Sequence, residues 1–172
     1  MSQRGKIGAI EDFTEGEVRR QASARITVAT PGQGFTDITD VVSAFARRSG
    51  IVQGLLTVFC RHTSASLTIQ ENADPDIQTD LLTALDSLAP RHAGYVHGAE
   101  GPYAFREPVT YTHSAEGPDD MPAHIRTMLT DSSLSIPVSS GRLALGTWQG
   151  IYLIEHRDRP HRREIALNLI GV

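Results

Sequence analysis

Gly54 to Asn72, GLLTVFCRHTSASLTIQEN, holds two apolar stretches on either side of a polar junction, Arg61-His62-Thr63-Ser64. Side chains alternate faces along a strand. The first stretch therefore places Leu56, Val58, Cys60 and His62 on one side and Leu55, Thr57, Phe59 and Arg61 on the other. In the return stretch Leu67, Ile69 and Glu71 share a face, and Asn72 falls where a helix is expected to start. Each strand thus finishes an apolar row with a group able to do chemistry, His62 in the first and Glu71 in the second. The plainer alternative is that both are rim residues bonded to backbone and water.

Outward from this strand pair, Ala24 to Thr30 alternates Ile26 and Val28 with polar residues and reads as a half-buried strand after a peripheral segment, residues 1–22. Thr39 to Gly50 reads as a short helix: a Thr/Asp cap, Val41, Val42 and Phe45 at helical spacing, arginines in the last turn and Gly50 as the stop. Asp74-Pro75 is a cap followed by proline at the first helical position, and Ile77, Leu81, Leu82, Leu85 and Leu88 form a stripe suited to core packing. Arg91 to Pro108, with His92 and His97, has the composition of a long loop, and Val109 to His113 reads as a short strand ending in a histidine.

Gly117 to Pro122 signals another helix start, with Met121, His124, Ile125 and Met128 on one side. His124 then lies in the first turn, where the helix dipole favours the neutral ring. The remainder reads as a meander of Ser133–Val138, Arg142–Gly146, Gln149–His156 and Arg163–Ile170, whose short turns favour antiparallel pairing. These elements do not alternate regularly. They predict a single α+β domain over residues 1–172, a largely antiparallel sheet packed with two or three helices.

Composition narrows the function. The apolar fraction is 40%, the charged fraction 21% and the net charge −4, with a pI near 5.9, which suits a globular protein and argues against nucleic acid or a membrane surface as partner. No apolar run approaches the ~18 residues of a membrane span and the first residues lack a signal-peptide apolar region, so a cytoplasmic location is expected. Cys60 is the sole cysteine, which excludes an internal disulfide and a paired-cysteine metal site.

Seven histidines are present, and His62, His113 and His124 sit at the ends of apolar rows or at a helix start. Three neutral imidazoles converging would hold a divalent metal, zinc foremost and magnesium as the alternative, with Glu71 or Asp120 orienting a ligand or acting as base. The spacing matches no local metal motif, so separate structural histidines remain the alternative. No organic cofactor is expected. Trp148, bracketed by Gly146 and Gly150, belongs beside a cleft or interface, or in the core behind a bulge. Arg157, Arg159, Arg162 and Arg163, with His156 and His161, surround an expected hairpin that would clamp a phosphate or form a solvated tip.

The run His62 to Asn72, the Tyr111-Thr112-His113 and Asp119-Asp120-Met121-Pro122-Ala123-His124 segments, and Gly141 to Tyr152 together resemble the YjbQ family, also called UPF0047. The resemblance runs from about Ala24 to the C-terminus. It implies a compact α+β homotrimer, with His62, His113 and His124 at motif positions near a metal or ligand pocket, and a secondary thiamine-phosphate synthase activity. In that reading an aminopyrimidine diphosphate is joined to a thiazole phosphate. His62, Glu71 and Asp120 are the catalytic candidates, and Arg61, Ser64, Asn72, Trp148, Arg157, Arg162 and Arg163 the substrate-binding ones. Alternatives are a metal-dependent hydrolase or lyase for another phosphorylated small molecule, or a non-catalytic trimeric binding protein. Some family members carry Asn near Asp119-Asp120 and an acidic-glycine turn near His156 to Arg159.

Overall fold

In the computed structural model, residues 15–91 and 111–172 are described. In chain order they form β1 (Arg20–Thr30), β2 (Gly34–Asp37), α1 (Thr39–Ser49), β3 (Gln53–Cys60), β4 (Ala65–Glu71), α2 (Pro75–Leu88), α3 (Asp120–Leu129), β5 (Ser133–Ser139), β6 (Arg142–Leu143), β7 (Gln149–Glu155) and β8 (His161–Gly171). Two sheets result, in the orders β1-β8-β3-β5-β6 and β2-β7-β4, and every pairing is antiparallel. The α+β reading holds.

The core follows from period-2 alternation. Leu56 and Val58 of β3, Ile136 and Val138 of β5, and Ile165, Leu167 and Leu169 of β8 turn inward from the larger sheet. They meet Leu67, Ile151 and Leu153 of the smaller sheet, and Val42 and Ala46 of α1 join the same cluster. Fully burying such a side chain contributes about 1.5–3 kcal/mol, so this inter-sheet layer is the main stabilising feature. Leu55 and Phe59, on the other face of β3, stay 42% and 44% exposed.

Several expectations need correction. β3 and β4 are consecutive but do not pair, because each joins a different sheet; the junction Arg61 to Ser64 is a crossing between layers. The meander holds for β5 and β6, which pair as a hairpin, and fails beyond them: β7 sits in the centre of the smaller sheet and β8 between β1 and β3, so residues 156–160 are also a crossing and no hairpin. β1 begins at Arg20, within the segment expected to be peripheral, because Ala22 and Ala24 continue the inward row of Ile26 and Val28. Gly50 closes α1 at φ 67 as expected. The N-terminal cap is instead made upstream, where Asp37 Oδ1 accepts from the Thr39 N–H at 2.8 Å.

Asn72 precedes α2 without starting it; Asp74 is the cap and accepts from the Asp76 N–H at 2.9 Å. The α2 stripe is only half-buried, with no residue of the helix fully buried. Tyr111 to His113 is irregular, while Val109, Thr110, His92 and His97 lie outside the described residues. The inner face of α3 is Asp120, Pro122, Ala123 and Arg126; Met128, expected on it, is 79% exposed. No helix of the described residues is long and apolar enough to cross a membrane.

Candidate functional site

Asp119 and Asp120 stand at the start of α3, and that end of the helix packs inward. The Asp120 N–H donates to the Gly117 carbonyl at 3.2 Å, and the Ala123 N–H to the Asp119 carbonyl at 3.0 Å, which fixes the first turn. Asp120 is 2% exposed. Its Oδ1 accepts from Arg157 Nη1 at 2.5 Å, and its Oδ2 lies 2.9 Å from His113 Nε2. One helical turn on, His124 Nε2 stands 3.6 Å from Oδ1. The two imidazole rings meet edge to face with centroids 5.2 Å apart. One ligand atom from each of His113, Asp120 and His124 falls within 4.8 Å of the other two.

Arg157 organises the acidic side of this group. Its Nε donates to Asp119 Oδ2 at 2.9 Å, Nη2 to the Glu116 carbonyl at 2.9 Å and Nη1 to Glu116 Oε2 at 3.2 Å, besides the bond to Asp120. Burial alone would raise the Asp119 carboxyl, but the Asp158 N–H and the Arg157 guanidinium outweigh it and hold Asp119 below the usual carboxylate range. Burial likewise opposes the charge on Arg157, and its carboxylate partners outweigh that and raise it. Three carboxylates, Glu116, Asp119 and Asp120, face this one guanidinium, so the cluster is complementary to a cation.

The donor set fits a divalent metal. Asp120 Oδ2 is buried and makes no hydrogen bond, although His113 Nε2 is close, because the approach has the length of such a bond without its direction. Two imidazoles and a carboxylate with an open side match a catalytic zinc ligand set, and the nitrogen donors suit zinc better than magnesium. Arg157 would then be the outer partner that orients the carboxylate.

The chain's relatives agree with this architecture. The family profile described as UPF0047 protein YjbQ-like matches residues 24–172. The chain belongs to the YjbQ family. A UPF0047 protein of Synechocystis sp. is 46% identical over 152 residues, 88% of this chain and 93% of the relative. UPF0047 protein YjbQ of Salmonella typhimurium is 38% identical over 147 residues, 85% and 95% of the two chains. A crystal structure of an uncharacterized conserved YjbQ/UPF0047 family protein from Clostridium acetobutylicum superposes with a TM-score of 0.70 at 35% identity, covering 85% of this chain and 98% of that one.

Of the residues singled out in this YjbQ-family sequence, His113, Asp120 and His124 come together. His62 stays outside their group. It shares with His124 a cleft of about 590 Å³, bordered by Phe59, Arg61, Thr127 and Met128, between the end of β3 and α3. Its Nε2 accepts from the Glu164 N–H at 2.7 Å, so the ring proton sits on Nδ1. Burial, and then Arg163, lower its pKa, and the neutral ring is a donor through Nδ1 with no free nitrogen to bind a metal or accept a proton.

The arginines do not gather into one clamp. Arg61 pairs with Glu164 at 2.6 Å, Arg157 with the acidic cluster, and Arg163 with fully buried Glu155 at 2.5 Å and with the Ser64 carbonyl at 3.3 Å, while Arg162 is exposed. Glu71, Asn72 and Trp148 form a separate group at the far end of β4, about 20 Å along the strand from Ala65. There the Asn72 N–H donates to the Trp148 carbonyl at 3.1 Å, and the Trp148 side chain is 64% exposed, not in the core.

Sequence reading missed the Glu155–Arg163 pair and the Ser66–His156 contact. Glu155 accepts from Arg163, from Thr30 Oγ1 at 2.8 Å and from the Arg157 N–H at 3.0 Å. Burial raises its carboxyl, but these donors overcome that and lower it. The signal was present: Arg163 extends the inward row of Ile165, Leu167 and Leu169, and Glu155 that of Ile151 and Leu153.

Proposed function

We propose that this YjbQ-family chain is a metal-dependent enzyme acting on a phosphorylated small molecule, with His113, Asp120 and His124 as ligands of a zinc-class divalent cation. The observation carrying the reading is the convergence of two imidazoles and a buried, donor-free carboxylate oxygen on the cation-complementary side of Arg157. A cation there would neutralise charge on phosphoryl oxygens and on a departing diphosphate. Arg157 holds Asp120 in place through its Oδ1, and His62 offers its Nδ1–H on the cleft it shares with His124. Within this class, the resemblance favours one reaction. A carbon–nitrogen bond forms between an aminopyrimidine diphosphate and a thiazole phosphate as the carbon–oxygen bond to diphosphate breaks, giving thiamine phosphate and diphosphate.

The test is turnover by the full chain, supplied with zinc or magnesium, on that substrate pair and on a panel of phosphate and diphosphate esters. Cation-dependent turnover that falls by about 100-fold or more in Asp120→Asn is expected. No turnover above a heat-killed control with either cation, across the whole panel, would remove the enzyme reading. We also propose a homotrimer, supported by the apolar Leu55, Phe59 and Ile170 left exposed on the outer face of the larger sheet.

A further inference from the structure

A second group of side chains, further along the inner face of α3, has donors without acceptors. Arg126 is fully buried. Its Nη2 donates to the Ala89 carbonyl at 2.8 Å and lies 2.8 Å from Asp86 Oδ1, so the guanidinium is anchored against the end of α2. Its Nε and Nη1 have no hydrogen-bond partner among the described residues. Two residues beyond Ala89, Arg91 bonds through its terminal nitrogens to Asp158 and Gln33, yet its buried Nε is also unpartnered. His156 is fully buried; its Nε2 lies 2.8 Å from Ser66 Oγ, and its Nδ1 has no partner.

Buried polar groups are nearly always satisfied, and four unsatisfied nitrogens in one region call for an explanation. With the Ser66 hydroxyl donating to Nε2, the neutral His156 ring carries its proton on Nδ1, and all four nitrogens are then donors. The charge balance points the same way. Burial disfavours the Arg126 cation and the Arg91 charge adds to that, while Asp86, its one ion-pair partner and itself 49% exposed, and Asp158 favour it without overcoming the burial. Burial and the Arg126 charge keep His156 neutral. Neighbouring unpartnered donors, carried by two planar cations and an imidazole, match the oxygens of a phosphoryl group, which guanidinium binds through paired N–H bonds.

We propose that Arg126, Arg91 and His156 form a buried site for a phosphoryl group. Arg126 lies six positions, about 9 Å, along the helix from Asp120 and about 200° around the axis from His124, so the site is separate from the metal ligands and goes beyond the metal reading. It makes one α-helix serve two ligands, a cation at its first turn and an oxyanion further along on its inner side. A phosphorylated substrate and free phosphate offer the same oxygens, and the test separates them.

The experiment is equilibrium binding of inorganic phosphate, inorganic diphosphate, a phosphate monoester and acetate to the full chain at constant ionic strength, by calorimetry and by the shift in unfolding temperature. Arg91→Gln and Arg126→Gln are measured beside it, each checked by circular dichroism. Saturable binding of a phosphoryl compound, weakened at least 10-fold in folded Arg91→Gln, is expected. Competition by the monoester assigns the site to a ligand's phosphoryl group, and binding of the inorganic ions alone assigns it to free phosphate; either supports the site. Absence of saturable binding, acetate binding as tightly as phosphate, or unchanged affinity in Arg91→Gln overturns it, whether or not Arg126→Gln folds.

Discussion

Glu155 carries its charge fully buried, and it does so because Arg163 meets it with two nitrogens while Thr30 and the Arg157 N–H occupy its remaining lone pairs. Removing one member of such a pair leaves a bare charge in the core, a loss of about 3–5 kcal/mol. Arg163→Met should therefore lower stability by that much in urea denaturation, and a loss under about 1 kcal/mol would show that the pair does not hold the layers together. His156 supplies a pH dependence. Burial first, and Arg126 second, depress its pKa from 6.5 to about 4, while Glu155 partly opposes and Arg163 adds to the shift. The unfolded chain binds the proton more readily, so stability rises with pH between about 4 and 6.5, by about 3 kcal/mol across the window. Above 6.5 both states are neutral at this position and the contribution is flat. Replacing His156 with Gln should flatten that slope; an unchanged slope would mean that other groups produce it. At this scale the sequence was partly readable. Sequence reading puts Arg162 and Arg163 together in a hairpin clamp or tip, although alternation along β8 turns Arg163 inward and Arg162 outward; the pairing of Arg163 with Glu155 depends on β7 and β8 lying in facing sheets, which neither strand reveals alone.

Among the elements, α1 was readable in its extent and its stop, which are local properties, while its cap comes from Asp37 upstream and Val41, expected in its apolar row, is 44% exposed. α3 was not. Its stretch offers two competing faces, and Arg126 decides between them: the pairing with Ala89 and Asp86 draws its stem inward and turns Met128 out. That rotation is also what sets Asp120 inside beside Arg157 while leaving His124 at the cleft. The seam between β3 and β8 depends on close backbone approach, with Gly54 opposite Gly171 in the register. A Cβ on Gly171 would fall 1.9 Å from the Gln53 carbonyl oxygen and 2.7 Å from Gly54 Cα, and neither can yield without moving a strand. Gly171→Ala should then lower stability by about 1–3 kcal/mol, seen as a drop in unfolding temperature. An unshifted temperature would show that the seam is looser than the register implies.

For the whole molecule, the fold class followed from element order, but the assignment of strands to sheets did not. Chain neighbours β3 and β4 part company, and β1 pairs with β8 from the other end of the chain. The histidines illustrate the consequence. His62, His113 and His124 were grouped by kind and position; the protein unites the last two with Asp120 and gives the Nε2 of His62 to the Glu164 N–H, a partner 102 residues away. Leu55, Phe59 and Ile170 remain on the outer face of the larger sheet; if they cover one another in the proposed trimer, sedimentation should give the mass of three chains, reduced by Phe59→Glu, and a monomer for the unaltered chain would remove the trimer. The most direct test of the central claim is a calorimetric titration of zinc into the metal-stripped full chain, beside His113→Ala, Asp120→Asn and His124→Ala with folding verified. One ion per chain, with affinity lost in each folded variant and retained in His62→Ala, is the predicted result; no saturable binding, or binding that survives all three changes, would contradict it.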